Sequence, residues 1–204
     1  MKKLFRRLRY GEPIVIVSGL PRSGTSMAMQ MLAAAGVETV TDGVRKAGED
    51  NPKGYFEDER VKDLHKERQD RGWLREARGK AIKIISFLLK DLPETNNYKV
   101  IFMKRALPEV LASQRKMLER RNEADETSDE RMLELWENHL WRVNYLLKHG
   151  DQFETIELLY TDAIQDPVRE ASRIRDFLDL RADPETMAAA VDESLYRNRT
   201  RSSD

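Results

Sequence analysis

Ile14, Val15, Ile16 and Val17 form an unbroken β-branched run, opened by Glu12-Pro13 and closed by a turn rich in Gly, Pro and Ser. A short apolar run with such borders predicts a strand buried on both faces. Residues 25–35 are good helix formers stopped by Gly36, so a helix follows the turn directly. Strand patterns recur at residues 81–86, at residues 99–103 (KVIFM) and at residues 153–160. Between them lie helical patterns. Residues 57–71 are highly charged and predict a surface-facing helix. Pro108 predicts the first position of a helix running to about Arg120. Met132, Trp136, Leu140, Val143 and Leu147 recur at spacings of three and four, which predicts an amphipathic helix. Thr127 with Glu130 reads as its capping box, and Gly150 closes it. Asp166-Pro167 predicts the cap and first position of one more helix. Residues 42–55, with three glycines and a proline, and the acidic residues 122–129 read as loops. Strands alternating with helices predict an α/β fold: three layers, a mostly parallel sheet flanked by helices.

Two hundred and four residues suit a single domain, read here as residues 13–204. The first ten residues, MKKLFRRLRY, carry five basic residues and no acid. Gly11-Glu12-Pro13 follows where a signal peptide would have its apolar segment, so residues 1–12 read as a solvated basic arm, with contact to anionic lipid or a partner as the alternative. No apolar run approaches the ~18 residues of a membrane span. Cysteine is absent, which removes disulfides, thiolate metal sites and a thiol nucleophile. Lys plus Arg and Asp plus Glu both number 36, and a zero net charge argues against a non-specific nucleic-acid binder. The missing export signal, cysteine and anchor together predict a cytoplasmic protein.

A zero sum still permits a local anion pocket, and the first turn looks like one. Ser18-Gly19-Leu20-Pro21-Arg22-Ser23-Gly24-Thr25-Ser26 joins a strand to a helix N-terminus, where backbone N–H groups and the helix dipole favour negative charge. Ser23, Thr25 and Ser26 add hydroxyls, and Arg22 adds a planar fork of donors suited to phosphate or sulfate. Gly19 and Gly24 have the spacing of the Walker pattern, but Thr25 stands where its lysine should be. No strand ends in an aspartate that would hold magnesium, so the equipment for metal-assisted nucleotide chemistry is incomplete and no metal is expected. A second feature is Arg105, at the end of KVIFM, with Ser113 eight residues on in the following helix. The carboxyl end of a strand is where α/β sheets bind ligands, so both residues could face one anion.

PRSGTS after a buried strand and RALPEVLAS after a later one resemble the PAPS-dependent sulfotransferases, bacterial type, with their P-loop-like fold. PAPS is 3′-phosphoadenosine 5′-phosphosulfate, and PAP is what remains after its sulfuryl group leaves. The resemblance implies that Arg22, Ser23, Gly24, Thr25 and Ser26 cradle the 5′-phosphosulfate and that Arg105 and Ser113 hold the 3′-phosphate. It places Tyr160, in LLYTD, near the nucleotide, and Arg197 and Arg199, in LYRNR, over the 3′-phosphate. The sequence departs from cytosolic members at two positions. Met27 stands where many have an adenine-stacking tryptophan, and in their Lys-x-His pattern Lys83 matches the lysine while Ile85 takes the histidine's place.

The resemblance therefore points to a carboxylate base. Glu57, preceded by aromatic neighbours, is the first candidate and Asp42 the second, with His65 a lesser one. Each also has a plain reading as a loop or capping residue. Lys83 either snorkels to water or points at the transferred group. Trp73, Trp136 and Trp141 read as core or as acceptor-pocket walls. The acceptor could be a sugar, lipid, phenol or peptide. Two other functions fit the same residues: a P-loop kinase for a small molecule or nucleotide, and a non-catalytic nucleotide-binding protein.

Overall fold

The computed structural model describes residues 2–43, 56–68, 70–122, 127–192 and 194. Four strands form one parallel sheet in the order β2-β1-β3-β4: β1 is Ile14–Gly19, β2 Ala81–Lys83, β3 Tyr98–Lys104 and β4 Phe153–Leu159. Ile16 pairs with Ile82 on one side and Val100 on the other, which fixes the register of the centre. Side chains alternate across the sheet as the pleat requires. Ile14, Ile16, Ile82, Val100 and Phe102 enter one core. Val15, Val17, Ala81, Ile101 and Met103 enter the other. Every residue of β1 is buried, so the chain's longest β-branched run fills the middle of three layers.

Helix α2 (Thr25–Ala34) covers the second core together with α7 (Pro167–Leu178) and α8 (Pro184–Ala188). Helix α5 (Asp129–His149) covers the first core through Val143 and Leu147. Helix α4 (Leu107–Arg121) joins Leu20 and Trp136 in a smaller cluster through Val110 and Leu111. The remaining helices are α1 (Lys2–Tyr10), α3 (Glu59–Lys62) and α6 (Tyr160–Gln165), with 3-10 helices at Gly72–Ala77 and Ser86–Asp91. Asp166 caps α7 as the sequence predicts, its side chain accepting from Arg169 N. Gly36, in the left-handed region, ends α2.

Four expectations change. Residues 2–10 are a docked helix and not a solvated arm. Arg6 donates to the carbonyls of Gln152 (2.8 Å) and Phe153 (3.0 Å) and to Asn97 Oδ1 (2.9 Å). The charged helix of residues 57–71 shrinks to α3, because beyond Val61 and Leu64 there is no apolar face to bury and short helices depend on packing. The cap of α5 is Ser128, which accepts from Arg131 N (3.3 Å), one residue past the expected Thr127. Strand β2 stops at Lys83, and Ser86–Asp91 coils into 3-10 structure.

Tyr98 opens β3 fully buried, its hydroxyl donating to Pro93 O (3.0 Å) and accepting from Asn96 Nδ2 (3.2 Å). Burial pushes its ionisation up from 10.0 to about 12, against smaller opposing effects of Asn96 and Arg78. The folded state keeps a proton that the unfolded chain loses first. This stability is therefore complete below pH 10 and lost as pH rises toward 12. Urea titrations across that window should show a loss of about 2–3 kcal/mol that Tyr98→Phe does not share.

Candidate functional site

In the strand order β2-β1-β3-β4, the connections from β1 and from β3 lead to opposite sides. A crevice opens at such a reversal, beyond the carboxyl ends of the strands. The turn 20–24 lies at that end of β1. Arg22 has φ +70° and Gly24 has φ +100°, so left-handed residues alternate within it. That alternation turns successive N–H groups inward, the geometry of an anion nest. The first intrahelical bond of α2 runs from Ala28 N to Gly24 O, leaving the N–H groups of Thr25, Ser26 and Met27 ahead of it. Ser23 is 1% exposed, and its Oγ has no hydrogen-bond partner among the described residues. The same holds for Ser18 Oγ at the end of β1. Buried polar atoms are nearly always paired, so two orphan hydroxyls beside a nest suit an anionic ligand.

The second anion feature closes against the first. Arg22 Nε donates to Ser113 Oγ at 3.0 Å, and Arg105 Nη1 donates to Arg22 O at 3.3 Å. The two motifs meet although Arg22 and Ser113 are 91 residues apart. The Arg105 side chain is 6% exposed and its Nε donates to Glu109 Oε2 at 2.9 Å. Its guanidinium lies over the Tyr160 ring at 4.4 Å, a cation–π contact. Burial raises the ionisation of Tyr160, with Arg105 pulling the other way. Tyr160, the first residue of α6, also packs against Gly24: a Cβ there would lie 2.5 Å from the ring. Tyr160 thus joins the ends of β1, β3 and β4. The sequence reading passed over Glu109, whose signal was its i,i+4 spacing from Arg105.

Lys83 and Glu57 also meet. Lys83 Nζ donates to Glu57 Oε1 at 3.1 Å, with side chains 9% and 23% exposed. The lysine in a buried strand is thereby accounted for: it is an ion pair at the strand's end. Phe56, just before Glu57, has φ +48°, an uncommon conformation for a bulky residue. Asp42 is exposed, and its Oδ2 accepts from Glu59 N at 2.7 Å, at the start of α3. Its own N–H donates to Glu57 O at 3.1 Å. Asp42 thus has the capping duty of its plain reading, and it ties down the segment that carries Glu57. His65 is exposed. Trp136 is core and Trp141 is 69% exposed, so Trp141 is neither core nor an enclosed wall.

One histidine gains a partner that the sequence did not suggest. His139 Nε2 bonds Ser86 Oγ at 2.8 Å, and its ring stacks on Phe87 at 3.9 Å. Burial first, then Arg142 and Lys90, holds it below its ordinary pKa. It stands beside residue 86, next to Ile85. Residues 44–55, most of the loop expected at residues 42–55, and Arg197 and Arg199 lie outside the described residues. Among the described residues, no cluster of His, Asp and Glu could hold a metal ion, and no helix is long and apolar enough to cross a membrane.

A parallel sheet with an anion-binding turn at its reversal point defines a protein of the P-loop-like α/β class. Within that class, the chain belongs to the sulfotransferase domain family, which matches residues 12–203. It is similar in structure to a sulfotransferase domain from the curacin biosynthetic pathway, with TM-score 0.51 and 15% identity over 91% of this chain and 89% of that one. It also resembles a sulfotransferase from Alicyclobacillus acidocaldarius (TM-score 0.46, 14% identity, 84% of this chain and 83% of that one). A mouse sulfotransferase complexed with PAP gives TM-score 0.48 and 16% identity over 87% of this chain and 62% of that one. Comparison with curated proteins returns no match.

Gly24→Ala tests the packing of the turn. It meets both a left-handed φ and the Tyr160 ring, so thermal or urea unfolding should show a loss of roughly 1–3 kcal/mol. A neutral result would mean that the turn and Tyr160 are not packed as described.

Proposed function

We propose that the chain moves a sulfuryl group from PAPS to an acceptor hydroxyl or amine by in-line transfer, without a metal. The buried, unpartnered Ser23 hydroxyl inside a nest, with Arg22 beside it, carries this reading. Family membership supports it. PAPS, when bound, supplies the sulfuryl group and leaves as PAP.

Arg22, Ser23, Gly24, Thr25 and Ser26 bind the 5′-phosphosulfate through N–H groups, hydroxyls and one guanidinium. Arg105 and Ser113 hold the 3′-phosphate, with Arg197 and Arg199 completing that side. Arg105 is already bonded to Glu109, so a phosphate arriving there shares a preset guanidinium, its plane fixed by Tyr160 and Glu109. Pre-orientation of this kind lowers the entropy lost on binding.

Glu57 is the base. Its carboxylate takes the proton of the acceptor hydroxyl or amine, and Asp42 holds its segment in place through the Glu57 carbonyl. The ion pair with Lys83 gives this step an internal logic. When Glu57 takes up a proton it becomes neutral, and the Lys83 ammonium loses its counter-charge. A cation with low exposure is then available to negative charge developing at the site, without moving. Proton transfer and charge stabilisation are thus coupled through one 3.1 Å contact.

Calorimetry is the primary test. PAP should bind and ATP–magnesium should not; tight ATP binding with none for PAP would replace this reading with a kinase. Glu57→Gln should lower kcat by roughly 100- to 10,000-fold while PAP affinity stays near wild type. If transfer is unaffected, the base lies elsewhere. Arg105→Ala should weaken PAP far more than adenosine 5′-phosphosulfate, which lacks the 3′-phosphate. Equal losses would remove Arg105 from that role.

A further inference from the structure

Helix α1 is attached by its polar side. Arg6 points inward and bonds the backbone of Asp151, Gln152 and Phe153 as well as Asn97. At 100° per residue, Leu8 falls on the side away from Arg6. Leu8 is 78% exposed, the most exposed large apolar residue described. This is the reverse of an ordinary surface helix, which buries its apolar stripe. Helix α1 contains no acid. The Arg7 and Arg9 side chains are 67% and 57% exposed, and their pairs with Glu12 and Asp151 are long, at 4.0 and 3.9 Å. Exposed pairs of that kind contribute little.

The surface continues onto α5. Arg9, Tyr10, His149 and two acids, Glu94 and Asp151, line one shallow cleft between them. From His149 a stacked aromatic row runs up α5: Tyr145 lies 4.1 Å from His149, and Trp141 lies 6.0 Å from Tyr145. Trp141 is 69% and Tyr145 57% exposed. Residues 138–150 contain Arg142 and Lys148 and no acid, whereas Asp129, Glu130, Glu134 and Glu137 crowd the first part of the same helix. Two acid-free segments, one a basic helix with its leucine outward and one an exposed Trp–Tyr row, therefore adjoin at the amino ends of β3 and β4.

We propose that this surface docks the protein on an anionic lipid bilayer. Exposed cations and an exposed leucine on one helix, beside an exposed Trp–Tyr row, match a surface with negative headgroups over hydrocarbon. Trp and Tyr favour that boundary because each has an apolar body and a polar atom. A nucleic acid or acidic protein would use the cations but leave Leu8 and Trp141 unexplained, so the bilayer is the better fit. Because α1 sits at the amino ends of the strands and the anion turn at the carboxyl ends, a docked molecule turns its site away from the bilayer.

The full chain should be co-sedimented with vesicles of phosphatidylcholine alone and with equal parts phosphatidylcholine and phosphatidylserine. Binding is expected only to the anionic vesicles at ~0.1 M salt, weakening at ~1 M. Leu8→Ser with Trp141→Ser should weaken it about tenfold, both changes being at exposed positions and checked for fold by circular dichroism. Arg7→Ser with Arg9→Ser should weaken it similarly. No binding to anionic vesicles would overturn the proposal. So would binding that ignores Leu8 and Trp141 and is displaced equally by a short RNA, which would indicate a polyanion contact. None of these outcomes depends on PAPS or on transfer activity.

Discussion

The Arg105 guanidinium is the point on which the carboxyl end of the sheet depends. It is nearly enclosed, tied to Glu109, bonded to the carbonyl of Arg22 and stacked on Tyr160. Each contact belongs to a different connection: Glu109 to α4, Arg22 to the turn after β1, Tyr160 to the end of β4. A buried charge must keep its partners, since removing one leaves an uncompensated ion. The three connections are therefore held in mutual register by a requirement stronger than apolar packing alone would impose. The left-handed Arg22 and Gly24 gain their fixed shape from this arrangement, because Arg105 holds the Arg22 carbonyl and Tyr160 fills the space over Gly24.

A consequence is that the donors of the proposed anion site are already arranged by the protein. The turn's donors are arranged by protein contacts, and Ser23 keeps a buried hydroxyl without a partner among the described residues. Such a hydroxyl is a standing cost, recovered only when something accepts from it or donates to it. The Lys83–Glu57 pair at the end of β2 is satisfied instead, so the two halves of the site differ in character. One is a cradle awaiting charge; the other is a balanced pair that protonation unbalances.

How much of this was legible depended on whether the information was local. Strands β1 and β3 are continuous or near-continuous apolar runs and β4 is a mixed one, FETIELL; all three lie where the sequence predicts them. The turn was legible because its donors are consecutive residues. The Arg22–Ser113 contact followed only from two separate motifs that the sequence could not bring together by itself. The charged stretch after Glu57 misled, since helical charge spacing without an apolar face does not sustain a helix, and only α3 forms. The N-terminal segment misled in the opposite sense. Its charges suggested solvent, but the backbone carbonyls of residues 151–153 are acceptors that no sequence pattern marks, and Arg6 reaches them. The partnership of His139 with Ser86 was hidden for the same reason: it joins residues 53 positions apart.

The equality of 36 positive and 36 negative residues conceals a division by place. At the candidate site, Glu109 pairs with Arg105 and Glu57 with Lys83. Such pairs create little long-range field, so under the proposed function the anionic donor is recognised at contact distance, by donors fixed in direction, more than by attraction from afar. At the other pole, α1 and the end of α5 carry exposed cations, those of Arg7 and Arg9 in long ion pairs. A fold with parallel strands has two chemically different ends, and this chain gives them different kinds of positive charge: directed and buried at one, diffuse and beside apolar surface at the other. The first matches the proposed PAPS site and the second the proposed bilayer surface.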